Sequence, residues 1–359
     1  MKRYTFVNWC AMMLMSAMLS AVSCAKEDFD SSAAGTGGDD VVTVSFTVGA
    51  MADVRGFAEK GGRIGSGEFA DRLVCAVYDN AGTLLKQYAE DDEHGNEYGQ
   101  LVYEVERWPA TVSLRMVRGQ EYKVVFLAKC GDCEAYDTND LASVKIDYSR
   151  IECNNPSYDL FCKTEPLTVV ESGTRTVVMR RPLAQINIGM SVEDYERLAD
   201  EGFGIVRSAL SVHSAANELN VVDNSVNVTT ADGAYDAAKY VEVDYAVQPV
   251  PALWFVGDGG EEEWMYVDLD GDGKFRDAYD ENPEVFKYLS MCYILAPDRY
   301  EGTSSYSAVA EVSITLVDGE GRSCTISPDE ESELKECPVQ RNWSTNIILT
   351  RDMVSGLLK

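Results

Sequence analysis

A two-residue alternation of apolar and polar side chains constrains the fold of this chain more than any other feature. It appears first at residues 41–48 (VVTVSFTV), in a stretch rich in β-branched and aromatic residues, and similar stretches follow along the chain. Such alternation places every second side chain on one face of a strand. Turn residues separate the stretches, and the turn at residues 79–82 (DNAG) is expected to start a hairpin. Strand patterns do not alternate with helical ones, so the sequence predicts an all-β sandwich fold.

The strand patterns form two groups, which predict two tandem β-sandwich domains at residues 41–180 and 181–359. Residues 180–182 (RRP) interrupt the strand pattern at the point where the second group begins. About 140 residues in the first half and about 180 in the second are enough for each to bury a core of its own. No periodic repeat is visible in the sequence that would relate the halves.

One short helix is predicted at residues 192–201, because Ser191 can cap its first turn and Asp194 occupies its third position. The rest of the pattern is extended. The predicted strands of the first half cover residues 41–48, 72–78, 101–106, 111–117, 121–128, 143–148, 167–170 and 174–180. Those of the second half cover residues 183–189, 205–212, 219–222, 240–247, 252–256, 286–295, 308–317, 322–326 and 343–350.

The first 23 residues are interpreted as a lipoprotein signal peptide. Lys2 and Arg3 precede an apolar run at residues 9–19, which is shorter than the about 20 residues that a membrane-spanning helix requires. The run ends in Ala-Val-Ser before Cys24, the pattern that a lipoprotein signal peptidase cuts before lipid is attached to the cysteine. An ordinary secretory peptide with a chance cysteine is the alternative.

Residues 24–40 are predicted to be a flexible tether, since they are small, polar and rich in glycine. The acidic group at residues 26–28 (KED) resembles the export signal that sends lipoproteins of Bacteroides-type bacteria to the outer face of the outer membrane. A solvated charge cluster is the alternative reading. The resemblance implies a cell-surface protein held to the outer membrane by lipid, an anchor that is effectively permanent when two or more acyl chains are attached.

The net charge of the chain argues against two kinds of partner. It is −29, and removal of Lys2 and Arg3 with the signal peptide would make it −29 − 2 = −31. A surface this acidic repels the phosphates of nucleic acids and the head groups of anionic lipids. We therefore expect no nucleic acid partner.

Eight cysteines follow Cys24, and they permit disulfides in an oxidising compartment. Cys75 and Cys292 lie within apolar strand patterns and are expected to pack as small buried side chains. Cys130 and Cys133 form the single CxxC pair, and a disulfide from this loop to either Cys153 or Cys162 is left open. Zinc is disfavoured because the chain has only two histidines and no second close cysteine pair.

A candidate calcium loop begins at Asp268. Asp268, Asp270 and Asp272 occupy positions one, three and five, and a glycine follows at position six, as in loops that gather carboxylates around Ca²⁺. Position twelve is Tyr279 where a bidentate glutamate would belong, and Asp277 and Asp280 are nearby substitutes. The alternatives are therefore a structural calcium site and an ion-free hairpin. No other cofactor is expected.

The motifs of common enzyme classes are missing from the sequence. It contains no GxSxG, HExxH or phosphate-binding glycine loop, and neither His94 nor His213 lies in a recognisable nucleophile motif. We therefore predict that the protein is not an enzyme.

Several segments, in order along most of the chain, resemble the fimbrillin-like pilin subunits of Bacteroides-type bacteria. No one segment is specific, and the likeness rests on their order together with the lipoprotein signal. They are residues 71–79 (DRLVCAVYD), 122–128 (YKVVFLA), 132–137 (DCEAYD), 181–187 (RPLAQIN), 293–297 (YILAP) and 339–347 (VQRNWSTNI).

This resemblance implies two transthyretin-like sandwich domains without an active site, and assembly by strand exchange. In such pilins a surface protease cuts after an arginine that follows the first strand, and a strand from another subunit fills the groove that opens. Arg55 and Arg63 are the candidate cleavage sites here, with an uncut loop as the alternative. Only nine residues follow residue 350, too few for a donor tail. Either residues 343–350 are donated, or the protein is a tip, anchor or accessory subunit.

We therefore expect a structural subunit of a cell-surface fimbria that serves adhesion. Its partners would be other pilin subunits, bound by β-strand addition, and a ligand on a host or bacterial surface. The alternative is a stand-alone surface lipoprotein that binds a glycan or a protein, for which Trp254, Trp264 and Trp343 are the aromatic candidates.

Overall fold

The structure is a computed structural model, and it describes residues 40–49, 69–90, 92–227, 241–250, 286–296, 308–328, 334–335, 337–339, 341 and 344–357. Strands of the first half are β1 (Val41–Gly49), β2 (Arg72–Asp79), β3 (Leu101–Glu104), β4 (Ala110–Val117), β5 (Glu121–Lys129), β6 (Tyr136–Asp137), β7 (Val144–Ile146), β8 (Leu160–Thr168) and β9 (Gly173–Val178). Those of the second half are β10 (Leu183–Ser191), β11 (Ile205–Ala215), β12 (Glu218–Asn220), β13 (Ser225–Val226), β14 (Val241–Asp244), β15 (Gln248–Pro249), β16 (Phe286–Leu295), β17 (Ala308–Ala310), β18 (Val312–Asp318), β19 (Ser323–Ile326), β20 (Cys337–Val339) and β21 (Ser344–Leu349). The described α-helices are α1 (Val192–Asp200) and α2 (Arg351–Leu357).

Each half of the chain contributes one three-stranded sheet and one larger sheet. In the first half the strand orders are β4-β1-β9 and β3-β2-β5-β8. In the second half they are β16-β10-β21 and β14-β11-β18-β19, with β15 added beside β11. The predicted all-β sandwich fold is confirmed.

The two halves share one topology. In each, the first strand lies between an antiparallel partner and a parallel one: β1 between β4 and β9, and β10 between β16 and β21. The larger sheets correspond in the same chain order. The structure thus contains a duplication that is not visible as a sequence repeat. Asp40–Lys359 form one compact unit, and the domain bounds at residues 41–180 and 181–359 stay a prediction.

Strands β2 and β5 are buried on both faces because each contributes to two cores. One face of β2 (Leu73, Cys75 and Val77) joins a core formed entirely by residues 42–179. The other face, with Val74 and Ala76, joins a second core that draws on both halves of the chain. This double burial explains why residues 72–79 form an almost continuous apolar run instead of a strict alternation.

A small four-stranded sheet contains strands from both halves. Its order is β13-β12-β7-β6, and Leu219 of β12 is paired with Val144 of β7. Tyr148, which follows β7, reinforces this connection. Its hydroxyl donates a hydrogen bond to the carbonyl of Ala216 (2.6 Å) and accepts one from the amide of Leu295 (2.9 Å).

A disulfide between Cys153 and Cys292 also joins the halves, across a sequence separation of 139 residues. The expectation that Cys292 packs as a simple buried thiol was therefore wrong, as was the option of a disulfide from the CxxC loop to Cys153. Asn154, in the left-handed region (φ 64°), exchanges two hydrogen bonds of 2.8 Å with the backbone of Met291 and so brings Cys153 beside β16. Cys75 is fully buried, as predicted.

The predicted helix is present as α1, and Ser191 caps it by accepting a hydrogen bond from the amide of Asp194 (3.0 Å). The expectation of a single helix was wrong, because the described residues include α2 as well. Tertiary contacts hold α2: the amide of Arg351 donates to the carboxylate of Asp194 (3.0 Å), and Val354 is fully buried. A seven-residue segment gains helical stability from such packing more than from its own propensity.

Two local predictions also differ from the structure. The strand predicted at residues 167–170 is the end of β8, which begins earlier, at Leu160, and pairs along its whole length with β5. The turn at residues 79–82 forms, but it leads to a single bridge between Tyr78 and Leu84 instead of a hairpin. Strand β3 occupies this edge of β2 only from Arg72 to Cys75, which leaves a short stretch for the returning chain.

A buried ion pair lies where the second group of strands begins. The Nε of Arg181 donates to both carboxylate oxygens of Asp159, at 2.6 and 2.7 Å, and the two side chains are 1 and 2 % exposed. The guanidinium also lies over the ring of Phe161, at 4.8 Å from its centroid. Burial raises the pKa of Asp159 to about 6, and the charge of Arg181 opposes this rise.

We predict that Asp159→Asn destabilises the protein by about 3–5 kcal/mol at neutral pH, because it removes the charge that neutralises a buried guanidinium. Urea unfolding would measure the loss. Glu134→Gln is the matched control: it breaks the exposed pair with Arg150 (2.8 Å) and should cost about 1 kcal/mol or less. Equal effects of the two substitutions would contradict the prediction.

The double variant Cys153→Ala/Cys292→Ala should lose about 2–5 kcal/mol of stability, because its unfolded chain is no longer closed into a long loop. Unfolding of both proteins with and without reductant provides the check. Reductant should lower the midpoint of the parent and leave that of the variant unchanged. If the reductant opens this disulfide in the parent and the unfolding midpoint does not change, the bond does not stabilise the fold.

Candidate functional site

The first strand, β1, is the candidate functional site. It is the central strand of β4-β1-β9 and is hydrogen-bonded along both edges. Eight residue pairs join it antiparallel to β4, from Val41↔Val117 to Val48↔Ala110. Six pairs join it parallel to β9. All of the backbone pairing on the inner edges of β4 and β9 therefore depends on this strand.

The inward face of β1 closes the core of the first sandwich. Val42, Val44, Phe46 and Val48 are 7, 3, 0 and 0 % exposed, and all four belong to the core formed by residues 42–179. The alternation seen in the sequence thus separates a buried face from an outer one. A strand placed here needs an apolar side chain at every second position.

Phe46 is the largest side chain of this face and is fully buried. Its ring lies 5.3 Å from that of Phe126 on β5, measured between centroids, in a tilted arrangement. Phe126 is also fully buried, so the two rings join the two sheets of the first sandwich. Aromatic pairs of this geometry stabilise a core beyond the area that they bury. The position of Phe46 is therefore the point at which β1 contributes most to packing.

The outer face of β1 is polar. Ser45 Oγ and Ser113 Oγ lie 3.0 Å apart on neighbouring strands. The amide of Thr43 donates to Ser172 Oγ at 3.3 Å. A cavity of about 310 Å³ lies beside the strand, lined by Val44 and residues 167–175. The closely packed side of β1 is therefore its inner face, because the contacts of the outer face are few and exposed.

The contacts of β1 are all with distant parts of the chain. Ser45 and Ser113 are separated by 68 residues, and Thr43 and Ser172 by 129. Neither β4 nor β9 follows β1 in a hairpin, and the next described strand, β2, belongs to the opposite sheet. An extended segment that arrived from elsewhere could make the same contacts, because no tight turn fixes β1 to its neighbours.

The equivalent strand of the second half, β10, differs in how it is attached. It follows β9 after only four residues, and all nine of its residues are buried. Its hydrogen-bonded partners are β16 and β21. Strand β1, in contrast, is followed by residues 50–68, which lie outside the described part of the chain. A cut after β1 would leave this strand held to its sandwich by pairing and packing alone. A cut after β10 would leave that strand still joined to β9.

The site residues predicted from the sequence lie outside the described residues. They are Cys24, Arg55, Arg63, Asp268, Asp270, Asp272 and Asp277. The three tryptophans named as aromatic candidates also lie outside them. Lipidation, cleavage and calcium binding at these positions stay predictions. Sequence reasoning identified β1 itself, but it did not identify β4 and β9 as its partners, because strand pairing leaves no signal in a single sequence.

The described residues offer no second candidate site of a membrane-spanning or metal-binding kind. None of the helices described is long and apolar enough to cross a membrane. Within the same residues, no three side chains of the His, Cys, Asp and Glu types gather as they would around a metal ion.

Comparison with known proteins gives one family. Residues 37–356 match the model of a family described as "Family of unknown function (DUF6562)". No curated protein matches the sequence.

The solved structures that this chain is similar to have low sequence identity to it. A candidate cell adhesion protein from Bacteroides uniformis is 12% identical, with a TM-score of 0.41, over 88% of this chain and 94% of that one. The tip fimbrial protein Mfa3 from Porphyromonas gingivalis is 8% identical, with a TM-score of 0.38, over 86% and 94%. The fimbrial anchor protein Mfa2 from the same organism is 8% identical, with a TM-score of 0.37, over 86% and 90%. These values describe a loose likeness, so the function has to be argued from the residues of this chain.

We predict that Phe46→Ala destabilises the protein by about 3–5 kcal/mol, because it leaves a cavity against Phe126. Thr43→Ala, on the exposed face of the same strand, should change stability by about 0.5 kcal/mol or less. Unfolding in urea would give both values. Similar small effects of the two substitutions would contradict the assignment of Phe46 as the main packing residue of β1.

Proposed function

Because the chain belongs to the DUF6562 family, whose function is unknown, we propose a function from its own first strand: the protein is a structural, adhesive subunit of a cell-surface fimbria. It is held to the outer membrane through Cys24 until a protease cuts after Arg55 or Arg63. The cut releases β1, and a strand of another subunit takes its place. The protein performs no reaction of its own.

The observation that carries this proposal is the position of β1. It fills the middle of a sheet, covers a core, and makes only long-range contacts. Removal of β1 would expose the four core positions that its inward face covers. Burial of those four side chains is worth up to about 6–12 kcal/mol in total, at about 1.5–3 kcal/mol each.

The backbone gives a second driving force for strand exchange. Loss of β1 would leave the facing edges of β4 and β9 without the pairs that it now makes. Buried amides and carbonyls without partners are costly, so an incoming strand would be bound by the same ladder of hydrogen bonds. Affinity would come from the backbone, and specificity from the side chains that enter the pockets of the inner face.

The last described segment of the chain is packed as part of its own sandwich. Residues 344–357 form β21 and α2, and both are packed into the second sandwich. Ile347 and Leu349 of β21 and Val354 of α2 are buried. This segment is thus committed to its own domain, and it is not an extended tail that could be lent to a neighbour.

N-terminal sequencing of the protein from the cell surface tests the processing step. We expect the unsubstituted protein to begin at Gly56 or Ile64. Arg55→Ala should abolish the N-terminus at Gly56, and Arg63→Ala should abolish the one at Ile64. Lys60→Ala is the matched control, since it changes a basic residue of the same segment that an arginine-specific protease would not cut. A surface protein that retains an acylated Cys24 in every variant would favour the stand-alone lipoprotein instead.

Peptide binding tests the groove separately. After cleavage with an arginine-specific protease, a labelled peptide of residues 41–49 should bind the protein and restore its stability. The same peptide with Phe46→Asp should not bind, because a charge would enter the core. Equal binding of the two peptides would show that the groove does not select for side chains.

A further inference from the structure

The loop that follows β5 holds a pair of cysteines that the proposed function does not use. Cys130 and Cys133 are both thiols in this structure. The amide of Cys133 donates to the carbonyl of Cys130 at 3.1 Å, so the four residues form a tight turn. A turn of this kind brings its first and last Cα atoms within about 7 Å, and disulfides span about 4.4–6.8 Å between Cα atoms.

The two side chains approach the same core. Cys133 is 6 % exposed and belongs to the core shared by both halves of the chain, and Cys130 packs against that core while half-buried. The backbone turn and the burial together place both thiols on one side of the loop. Formation of a bond between them requires no rearrangement of the strands.

Three side chains hold the turn in place. The ammonium of Lys129 donates to the carbonyls of Cys130 (3.1 Å) and Cys133 (2.7 Å), and Arg72 Nη1 donates to the carbonyl of Gly131 (3.2 Å). The carboxylate of Asp71 accepts a hydrogen bond of 2.6 Å from the amide of Gly131. The turn is thus organised before any sulfur chemistry takes place, and a positive charge lies beside its cysteines.

The two thiols differ in their accessibility to solvent. Cys130 is partly exposed and can be reached from solvent, whereas Cys133 is buried. Burial raises the pKa of Cys133, and the charge of Lys129 acts in the opposite direction. An outside reagent would therefore react first with Cys130, and Cys133 would complete the reaction from within.

We propose that Cys130 and Cys133 form an exchangeable disulfide, in addition to the structural one between Cys153 and Cys292. The thiolate of Cys130 attacks a small-molecule disulfide, such as oxidised glutathione, to give a mixed disulfide and one thiolate leaving group. The thiolate of Cys133 then attacks the sulfur of Cys130 and releases the second leaving group. The protein loses two hydrogens, the reagent is reduced to two thiols, and a reducing thiol reverses both steps.

The position of this bond gives it a structural effect. The turn begins the segment that supplies β6 and β7 to the sheet shared by the two halves, and the segment reaches the structural disulfide at Cys153. Oxidation would place a covalent constraint at each end of this segment. The redox state of the turn would thereby adjust the connection between the sandwiches.

Trypsin offers a direct assay, since cleavage after Lys129 and Lys145 gives a peptide of residues 130–145 with both cysteines and no third. The purified full chain is equilibrated in buffers with a series of ratios of reduced to oxidised glutathione. It is then alkylated and digested, and the peptide masses are measured by mass spectrometry. We expect this peptide to change from a form with two alkylated thiols to one with an internal disulfide, which is two hydrogens lighter than the unalkylated dithiol. The peptides of Cys153 and Cys292 should stay linked throughout. Cys130→Ser should abolish the transition, and Cys337→Ala, a buried thiol elsewhere, should leave its midpoint unchanged.

Lys129→Met tests the role of the neighbouring charge. Loss of an ammonium that favours the thiolates should slow the oxidation by about three- to tenfold. Two alkylated thiols at every glutathione ratio in the folded protein, or a link from Cys130 to another cysteine, would overturn the proposal. Strand exchange at β1 does not depend on this reaction, so either result leaves the test of the fimbrial function intact.

Discussion

The structure of the first sandwich depends on the pairing of β1 with two strands that are far away in sequence. The strand belongs to one of the two sheets around a core, and β2 and β5 belong to the facing sheet. The contact of Phe46 with Phe126 joins the two sheets. Its hydrogen bonds to β4 and β9 satisfy the inner edges of both. The same contacts that stabilise the domain define a groove in which a different strand of similar pattern could lie.

The strand pattern of the sequence was sufficient to predict the class of the fold. Residues 41–48, 72–78 and 121–128 lie within β1, β2 and β5, and the Ser191 cap is present where it was expected. Local alternation, turn residues and capping are short-range signals, and each is complete within a few residues of chain. The predictions that failed concern long-range contacts: the Cys153–Cys292 disulfide spans 139 residues, and α2 depends on Asp194 and a buried Val354. The candidate site shows the same limit, since its strand could be found in the sequence but its partners could not.

The duplication of the sandwich is the other result that the sequence does not reveal. Each half places its first strand between an antiparallel and a parallel neighbour, although the side chains that fill the two cores differ. The halves have diverged in what surrounds that strand. Strand β10 is enclosed by buried residues throughout its length, whereas β1 keeps a polar outer face. The same topology thus holds a strand that is buried throughout in one half and a strand with one exposed face in the other.

The parallel pair of β1 and β9 has a consequence for how the chain acquires its structure. A chain that is made and exported from its first residue presents β1 long before β9, which begins at Gly173, has emerged. Contacts of such high contact order are slow to form, because a long loop must be closed before they can contribute. During that interval an apolar, alternating segment remains without its sheet. The first strand described is thus made early, but its parallel edge is among the last parts of the sheet to be completed.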